Sequence, residues 1–554
     1  MNPAIYYAPD GYVLTGPKLM GRQSAGNGFL RAAVAGRTDD ALWAYTPTQA
    51  SAESFAQLVK RMDPQARPQW CPAHRLDMLG RIGLLYLPGP GLEDATQLRL
   101  RAGPAAYSVC GVTHTTASHG AMDSIAKLLM APVMPWDALV CTSQAVLQTV
   151  RTLLDQQASY LEWRWGKRET EWTLPQLPVI PLGVHTADFV FTDQERRMAR
   201  EALGIAPEAV VSVFVGRLSF HAKAHPHAMF IGLQQAALRT GQPMVLLQSG
   251  WYANEAIEAA FTTGAQWACP DVRCITTDGR VPAQVRQSWA AADIFISLSD
   301  NVQETFGLTP VEAMAAGLPV VVTDWNGYKD TVRDGVDGFR IPTFMPGVAH
   351  GRSFSLAYES GADSYDRYCG LNAQTVSVDM AALSQRLCDL ASDPALRKRM
   401  GEAGQARATS VFDWAVVYRQ YQHLWQELGR LRTQALNSPA WQTRLQTSPR
   451  ESAAWSNPMR AFGHYPTHTL DANTRVKARA HAAGLDYSVW SAHGLYRSTA
   501  PGLLNLSQAQ DMLAILQAEV PLGQVATQLG WSLTATEMAA AVLAKMGLVS
   551  LVPA

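Results

Sequence analysis

Residues 292–324, ADIFISLSDNVQETFGLTPVEAMAAGLPVVVTD, decide the fold. Two short apolar runs, 292–299 and 318–324, flank a loop and a segment with helical spacing, which predicts strand, loop, helix and strand. Strands and helices that alternate in this way build a parallel sheet with helices on both faces. In such sheets a ligand lies beyond the carboxyl ends of the strands, so residues 299–309 are predicted to line a ligand site.

Two glutamates lie eight positions apart in this stretch, Glu304 and Glu312. Thr309 and Glu312 have the spacing of a capping box, with Pro310 at the first helical position, so a purely structural role is open to Glu312. Glu304 has no helix to cap, and a carboxylate in this loop is suited to accept hydrogen bonds from hydroxyl groups. Gly307 lets the backbone approach a ligand, and the amides of a helix start bind anions. The pattern favours a polyol phosphate.

Two cations follow another predicted strand, residues 209–216. Arg217 comes directly after this strand, and Lys223 lies six residues later. Both side chains could reach one cleft, where two positive charges would neutralise a diphosphate. A single Arg or Lys is usually a solvated surface charge, but the position after a buried strand and Gly216 favours a binding role.

Apolar runs alternate with helical patterns along most of the chain, which predicts an α/β fold with two doubly wound domains facing each other across a cleft. The other predicted strands are 4–7, 82–88, 105–114, 137–143, 178–184, 243–250 and 272–279. The predicted parts are an N-terminal Rossmann-like domain (1–185), a second Rossmann-like domain (186–411), a crossover helix (412–431), a linker and irregular region (432–500), and a small, mainly helical, winged-helix-like domain (501–554).

The crossover helix is predicted from apolar residues at helical spacing, with Asp413 as its cap. Such a broad apolar stripe needs a partner elsewhere in the chain. In the last domain, capping boxes are predicted at Ser507 with Gln510 and at Thr534 with Glu537.

The composition is that of a globular protein, with 46 basic and 46 acidic residues in 554, so no global charge favours nucleic acid or an anionic membrane. The start has no signal-peptide pattern, no apolar run is long enough to span a bilayer, and seven cysteines occur without a Cys-x-x-Cys pair. These features predict a cytoplasmic protein with reduced thiols.

Charge also bears on the last domain. Residues 501–554 contain one base against three acids, a formal charge of −2. DNA binding needs clustered positive charge, so we expect no nucleic-acid partner and assign the domain to protein contacts or oligomerisation.

Together these residues resemble the retaining GT-B glycosyltransferases of family 4. The family's Glu-x7-Glu motif corresponds to Glu304 and Glu312, with Phe306-Gly307-Leu308 as the turn between them, and its Gly-Arg…Lys element corresponds to Gly216-Arg217-Leu218…Lys223. Residues 140–146 and 179–189 are similar to two further family segments, although His185 replaces the usual aspartate. The resemblance covers roughly residues 5–430.

The resemblance implies roles on the donor side of the cleft. Glu312 would bind the ribose of a nucleotide sugar. Glu304, together with the amides of Phe306, Gly307 and Leu308, would bind hydroxyls of the donor sugar. Arg217 and Lys223 would stabilise charge on the departing diphosphate. The donor would be a UDP-, GDP- or ADP-sugar.

Other implied roles concern the base and the first domain. The backbone of Arg280 and Val281 would pair with the base. Gly26, in a predicted glycine-rich loop, would approach the phosphates or the sugar, and His114 would lie near the anomeric carbon, with His119 as the alternative. The acceptor-side domain would be the first one, and helix 412–431 would cross back to it, as the last helix of the resembled fold does.

The implied reaction is glycosyl transfer with retention of anomeric configuration, without a metal cofactor, in polysaccharide, glycolipid or glycoconjugate synthesis. The absence of an Asp-x-Asp sequence agrees with a metal-free clamp. Two alternatives stay open: a nucleotide-sugar epimerase or phosphorylase of the same fold, and a catalytically silent sugar-nucleotide sensor or regulatory protein.

Three weaker signals remain. His221, His225 and His227 have metal-like spacing, but Pro226 prevents one helix from carrying all three. Residues 161–172 alternate tryptophan with charge around a glycine, which predicts a hairpin and leaves peripheral membrane contact possible. Residues 341–375 are longer than the family's usual loop, which is typical of a lid or a binding loop, and three tyrosines in it could stack on a sugar, namely Tyr358, Tyr365 and Tyr368.

Overall fold

The computed structural model describes residues 2–13, 21–166, 172–453, 455–480 and 484–553. The chain divides into two compact units, Met1–Ser452 and Ala453–Ala554. The first unit contains two parallel sheets.

The first sheet has six strands in the order β3-β2-β1-β4-β5-β6, all parallel. Its strands are β1 Ala4–Tyr6, β2 Ala41–Thr46, β3 Arg67–Pro72, β4 Leu84–Leu87, β5 Ser108–Val112 and β6 Ala138–Val140. Its helices are α1 Gly21–Ala35, α2 Gln49–Met62, α3 Leu76–Ile82, α4 Glu93–Arg99, α5 His119–Ala126 and α6 Gln144–Trp165.

The second sheet repeats this arrangement in the order β12-β11-β10-β7-β8-β9, again all parallel. Its strands are β7 Val210–Val215, β8 Met244–Gly250, β9 Val272–Asp278, β10 Ile294–Ser297, β11 Val320–Thr323 and β12 Gly338–Ile341. The first six helices of this half are α7 Asp193–Ala202, α8 His227–Thr240, α9 Glu255–Ala268, α10 Pro282–Ala291, α11 Leu308–Ala315 and α12 Tyr328–Thr331.

A long insertion follows β12 and leads into the final helices of the unit. The insertion contains β13 Thr343–Phe344, α13 Arg352–Glu359, α14 Tyr365–Ala373 and β14 Ser377–Val378. It is followed by α15 Met380–Ser392, α16 Pro394–Arg407, α17 Trp414–Leu436 and α18 Pro439–Gln446.

Both sheets have the Rossmann strand order, in which the direction of winding reverses between the first and fourth strands. In the second sheet these are β7 and β10, so the segments after them meet at the switch point where ligands bind. The predicted pair of Rossmann-like domains, and with it the GT-B architecture, is confirmed.

The strands are apolar on both faces because helices cover both sides of each sheet. Ile5 and Leu84 pack in the core on one face of the first sheet, whereas Ala4 and Leu85 pack on the other. Buried Arg99 and Asp137 form a bidentate pair at 2.5 and 2.8 Å. Asp137 also accepts from the Val109 amide at 2.8 Å, which fixes β5.

Helix α17 is longer than the predicted 412–431 and begins after Asp413, whose side chain accepts a hydrogen bond from the Ala415 amide at 2.8 Å. Its buried aromatic residues pack in the core of the first sheet against Phe29 and Tyr86. The helix therefore crosses back from the second Rossmann-like domain to the first.

Several predicted elements differ from the structure. Residues 178–184 form isolated bridges through Val179 and Val184 rather than a strand. Strands β2, β3 and β12 were not predicted; β3 contains two prolines, which an edge strand tolerates. The predicted hairpin at 161–172 is wrong in its described part, because α6 continues to Trp165 and ends at left-handed Gly166, and residues 167–171 lie outside the described residues.

The second unit is mainly helical with a small antiparallel sheet in the order β16-β15-β17. Its elements are α19 Pro458–Ala461, β15 Arg475–Ala478, α20 Tyr487–Ala492, α21 Ala500–Leu503, α22 Leu506–Ile515, β16 Val520–Pro521, α23 Leu522–Leu529, α24 Leu533–Lys545 and β17 Val549–Val552. The sheet needs β15, so the compact unit extends into the region predicted as a linker, 432–500.

Both predicted capping boxes in this unit are wrong by two residues. Helix α22 is capped by Asn505 in a box with Gln508, and α24 is capped by Ser532. Within the described residues, no helix is long and apolar enough to cross a membrane.

Candidate functional site

Three glycines shape the carboxyl edge of the second sheet. Gly216, Gly250 and Gly279 follow or end β7, β8 and β9 and pack against one another. A Cβ on Gly250 would overlap the Gly216 carbonyl, and a Cβ on Gly279 would lie 2.8 Å from the Gly250 Cα. Glycine at these positions therefore lets the backbone segments at the ends of β7, β8 and β9 pack directly against one another.

Lys223 and Glu304 form an ion pair at the switch point, with the Lys223 Nζ 3.1 Å from a Glu304 carboxylate oxygen. The Glu304 side chain is 15% exposed and that of Lys223 34% exposed. Burial alone would raise the Glu304 pKa, but Lys223 and the amides of Thr305 and Phe306 hold it below its usual value. Glu304 is thus an ionised acceptor at neutral pH.

The segments that carry these two residues are tied together. Asp300 accepts hydrogen bonds from the His225 amide at 3.0 Å and from its ring Nδ1 at 3.1 Å. Asn301 donates to the His221 carbonyl, and its own side-chain oxygen accepts from the Gln303 amide at 2.7 Å. Because of these bonds, the loop after β10 keeps a fixed position relative to the loop after β7.

The turn between the two glutamates is held by a tyrosine. Gly307 has a φ of 81°, and a Cβ there would overlap the ring of Tyr328. The Tyr328 hydroxyl is 3.0 Å from the Ser297 hydroxyl at the end of β10. A side chain at position 307 is therefore excluded by both backbone conformation and contact.

The predicted capping box at Thr309 is wrong. Helix α11 begins at Leu308 with Gly307 as its N-cap, so Thr309 is already inside the first turn. No hydrogen bond of the Glu312 carboxyl is found among the described residues. Burial raises its pKa to about 7, against the opposing effect of Lys223. Glu312 is thus a desolvated carboxyl that does not cap its helix.

Arg217 differs from Lys223 in having no acidic partner. Within the described residues, no carboxylate lies within 4 Å of its guanidinium. Its side chain lines a small pocket together with Ser219, His225 and Pro226. The positive charge of Arg217 at the end of β7 is therefore available to an anionic ligand.

Arg280 and Val281 lie at the end of β9, as predicted, but their amides are used inside the protein. The Arg280 amide donates to the Asp278 side chain at 2.9 Å, and the Val281 amide donates to the Asp278 carbonyl at 3.0 Å. The Val281 carbonyl accepts from the Gln284 amide. Recognition of a base by the Val281 backbone would thus need these bonds to be shared.

In the first domain, His114 follows β5 and lines a small aromatic cavity that Gly26 also lines. The prediction that Gly26 lies in a loop is wrong, because it is inside α1. A Cβ on Gly26 would overlap the Gly11 carbonyl, so its close contact is with the protein's own backbone. The glycine-rich loop was predicted over residues 16–28, and its first part, 16–20, lies outside the described residues.

The histidine cluster does not converge on one point. His225 contacts Asp300, whereas His221 lies 3.8 Å from Asp366. His227 begins α8. Among the described residues, no group of three or more His, Cys, Asp or Glu side chains could hold a metal ion.

Two residues that join the domains were not predicted as site residues. Ser143 caps α6 and donates from its hydroxyl to the Thr305 carbonyl at 2.8 Å. The Gln144 amide donates to the Asp330 carboxylate at 2.5 Å. The only signal for them in the sequence is the family-like segment 140–146, and its partners are more than 150 residues away.

The tyrosines that were predicted to stack on a sugar mostly contact other side chains of the protein. Tyr358 is 7% exposed, and its ring stacks on His119 at 3.6 Å and on Tyr368 at 4.4 Å between centroids. The Tyr365 hydroxyl is 3.1 Å from the Thr115 hydroxyl. Neither face of Tyr358 is open to a sugar.

Comparison with known proteins finds a family match for the second Rossmann-like domain. Residues 209–347 match the family model described as Glycosyl transferases group 1, which confirms the resemblance. The chain is 28% identical over 149 residues to lipopolysaccharide 1,2-N-acetylglucosaminetransferase of Salmonella typhimurium, covering 26% of this chain and 37% of that protein. It is 33% identical over 184 residues to D-inositol 3-phosphate glycosyltransferase of Mycolicibacterium gilvum, covering 31% and 37%.

A third relative is alpha-maltose-1-phosphate synthase of Mycobacterium tuberculosis, 26% identical over 219 residues that cover 39% of this chain and 48% of that protein. The chain thus matches less than half the length of these curated relatives. Among solved structures, Anabaena HepE in complex with UDP and glucose has a TM-score of 0.49 at 16% identity, covering 77% of this chain and 100% of that one. Sucrose-phosphate synthase of Thermosynechococcus elongatus has a TM-score of 0.47 at 15% identity, covering 77% and 99%.

Proposed function

We propose that the chain is a member of the Glycosyl transferases group 1 family, whose model residues 209–347 match, and that it moves a sugar from a nucleotide-diphosphate donor to an acceptor with retention of anomeric configuration. The observation that carries this proposal is the Lys223–Glu304 ion pair at the switch point of the second sheet. The carboxyl group of Glu312, which does not cap α11, lies one turn into that helix. The three groups combine a cation for phosphate with two acceptors for hydroxyls.

The donor would bind at the carboxyl edge of the second sheet. Lys223 and the guanidinium of Arg217, which has no carboxylate partner among the described residues, would hold the diphosphate, and their charge would stabilise it as it departs. Glu304, kept ionised by its partners, would accept hydrogen bonds from hydroxyls of the transferred sugar. Glu312 would accept from the ribose hydroxyls.

The remaining contacts are proposed from position. The loop of Arg280 and Val281 would lie beside the base, and the amides of the turn 306–308 would face the sugar. His114, at the carboxyl end of β5 in the first domain, would lie on the opposite wall near the anomeric carbon. Gly26 would act by letting α1 pack closely rather than by touching the phosphates.

The names of the relatives support transfer chemistry, since two are glycosyltransferases of lipopolysaccharide or of inositol phosphate. We propose an acceptor in polysaccharide, glycolipid or glycoconjugate synthesis. The first domain, which lies outside residues 209–347 matched by the family model, would choose it.

Thermal shift measurements with UDP-, GDP- and ADP-sugars test the proposal. A ligand that binds the native state raises its melting temperature, so one base should give a clear increase and the other two little. NMR of the slow hydrolysis of that donor should then show a first-released sugar with the donor's anomeric configuration. No shift with any donor, or an inverted product, would contradict the proposal.

A further inference from the structure

The insertion after β12 forms what we call the strap, residues 343–378. Its two ends are paired as antiparallel strands, with Thr343 opposite Val378 and Phe344 opposite Ser377. The strap therefore leaves the second domain and returns to it at one fixed base, and its helices α13 and α14 lie between these ends.

One side of the strap contacts the loop that follows β5 in the first domain. The His119 amide donates to the Tyr358 hydroxyl at 3.1 Å, and the two rings stack with an interplanar angle of 17°. The Tyr365 hydroxyl is 3.1 Å from the Thr115 hydroxyl. His114, the proposed acceptor-side residue, is the neighbour of Thr115 on this loop.

The other side of the strap contacts the loop that follows β7. The Gln374 side-chain nitrogen is 2.7 Å from the His225 Nε2, and Asp366 lies 3.8 Å from His221. A Cβ on Gly370 would lie 3.3 Å from the His221 Cβ, so helix α14 passes close to this loop. Lys223 lies between the two contacted histidines in the sequence.

The strap thus bridges the two loops that carry the proposed reacting groups. Its contacts with the first domain are aromatic and hydroxyl contacts, so salt should not screen them. A bridge of this kind fixes the separation of His114 from Lys223 and Glu304, and a misplacement of about 1 Å between reacting groups costs about 10²-fold in rate.

From this geometry we infer that Tyr358 and Tyr365 are positioning residues, which hold the His114 loop over the phosphate-binding residues without touching the substrates. The inference rests on the proposed glycosyl transfer for its catalytic part, whereas its structural part stands alone. It replaces the sequence-based prediction that the strap tyrosines stack on a sugar.

The test uses Tyr358→Phe and Tyr365→Phe in the full chain, with Tyr368→Phe as the matched control. Tyr368 belongs to the same aromatic stack, but its hydroxyl makes no hydrogen bond among the described residues. Each test substitution removes one hydroxyl and keeps the ring, so the core of the strap is retained.

Hydrogen exchange of the segment 113–122 in the ligand-free protein is the first readout. We expect exchange to become about 10-fold faster in Tyr358→Phe, which removes the acceptor of the His119 amide, and unchanged in Tyr368→Phe. Unchanged exchange in both test variants would overturn the positioning role whether or not the protein is a transferase.

Kinetics supply the second readout. The turnover number should fall about 10-fold in Tyr358→Phe and Tyr365→Phe, while the Kd of the nucleotide diphosphate stays within about 2-fold of the parent value. An equal loss of nucleotide affinity would overturn the role, since it would indicate general destabilisation. If exchange responds as expected but no donor binds the parent protein, the proposed function fails and the strap bridge remains.

A separate observation concerns two cysteines at the edge strand β9. The Sγ atoms of Cys269 and Cys274 are 3.9 Å apart. Cys269 ends α9 and is buried, whereas Cys274 lies in β9 and is exposed. We propose that this pair is a site of reversible disulfide formation, with Cys274 as the attacking thiol.

The chemistry requires a disulfide oxidant such as oxidised glutathione. The Cys274 thiolate attacks one sulfur of the oxidant and releases one glutathione thiol; Cys269 then attacks the Cys274 sulfur and releases the second. Two protein thiols are oxidised and one glutathione disulfide is reduced. The hydrogen bond between the two thiols lowers the pKa of Cys274 and raises that of Cys269, in agreement with this order.

Peptide mass mapping after incubation with oxidised glutathione tests this site. We expect a Cys269–Cys274 crosslink that dithiothreitol reverses, and in Cys269→Ser a stable glutathione adduct on Cys274. The other five cysteines are buried and should stay unmodified. Free thiols at both positions, or a persistent adduct on Cys274 in the parent protein, would overturn the proposal.

Discussion

At the scale of single residues, the two glutamates of the motif differ in ionisation although both lie near Lys223. The Glu304 carboxylate pairs with Lys223 and accepts hydrogen bonds from two backbone amides, and these contacts lower its pKa despite burial. Glu312 is desolvated without such bonds, and its pKa rises to about 7. The opposite pKa shifts suit two different roles. Glu304 is ionised in the free protein and can always accept hydrogen bonds, whereas Glu312 ionises when a ligand donates hydrogen bonds to it.

Exchanging each glutamate for glutamine should separate these roles. Glu304→Gln should impair use of the donor sugar while leaving the free nucleotide diphosphate bound almost normally, because the only proposed ligand contact that it removes is the one to the sugar. Glu312→Gln should weaken the diphosphate itself through loss of the ribose contact. Calorimetric titration of both variants measures this, and an equal loss of affinity would refute the assignment.

The raised pKa of Glu312 also predicts proton release. Ribose hydroxyls favour the carboxylate, so binding should lower the pKa from about 7 and release a proton at pH values near and below 7. Affinity should therefore rise between about pH 6 and pH 8, by at most about 10-fold per pH unit. Calorimetry in buffers of different ionisation enthalpy counts the protons. Glu312→Gln is the control and should release fewer; equal release would contradict the prediction.

The two cations should both matter for turnover. Arg217→Ala and Lys223→Ala should each lower kcat by about 10²-fold or more, since each removes a charge directed at the leaving diphosphate. Lys223→Ala also leaves Glu304 buried without its partner, so this variant alone should lose stability. Near-normal turnover in both, or activity abolished by EDTA and restored by Mg²⁺, would contradict a metal-free clamp.

At the scale of elements, buried parallel strands were predictable because their apolar runs are continuous. All five predicted strands of the second sheet are present, from β7 to β11. β2, β3 and β12 were missed: prolines interrupt the apolar run in β3 and Arg340 interrupts that in β12, whereas nothing comparable interrupts β2. Helix starts were shifted because Thr309, Ser507 and Thr534 have capping spacing, while the chain uses Gly307, Asn505 and Ser532. Local spacing does not decide between neighbouring caps.

The turn before α11 provides a test at this scale. Gly307→Ala should destabilise the protein by about 2–4 kcal/mol, because the new Cβ overlaps Tyr328 and the positive φ is strained. Gly335→Ala is the matched control, with a φ of 73° and no atom within 4 Å of the new Cβ. Urea unfolding of both variants measures the difference. Equal effects would mean that backbone strain alone sets the cost.

At the scale of the whole molecule, the two doubly wound parallel domains were predictable from the sequence, but the loop contacts that join them were not. The contacts of Ser143 with Thr305 and of Tyr365 with Thr115 link residues 162 and 250 positions apart. Such contacts leave no local spacing in the sequence. The motif residues at strand ends could be predicted because topology alone brings β7 and β10 together.

A prediction at this scale concerns where the chain can be truncated without loss of the two Rossmann-like domains. Helix α18 places Trp441 against Trp136 in a small core with Ala435, so a cut near residue 435 would uncover apolar surface. A cut after Ser452 follows the division into compact units. We therefore expect a chain of residues 1–452 to fold and bind nucleotide, and the chain of residues 1–435 to be less stable.

The truncated chain also tests the role of the second unit. Its exposed apolar side chains include Leu495 at 71% and Leu503 at 55%, and these favour contacts with protein. We expect residues 1–452 to lose oligomerisation or activity on the natural acceptor while keeping the nucleotide affinity of the full chain. Light scattering and calorimetry on both chains measure this. Aggregation of residues 1–452 with loss of nucleotide binding would show instead that residues 453–554 complete the catalytic core. If residues 1–452 fold independently, their folding does not require residues 453–554.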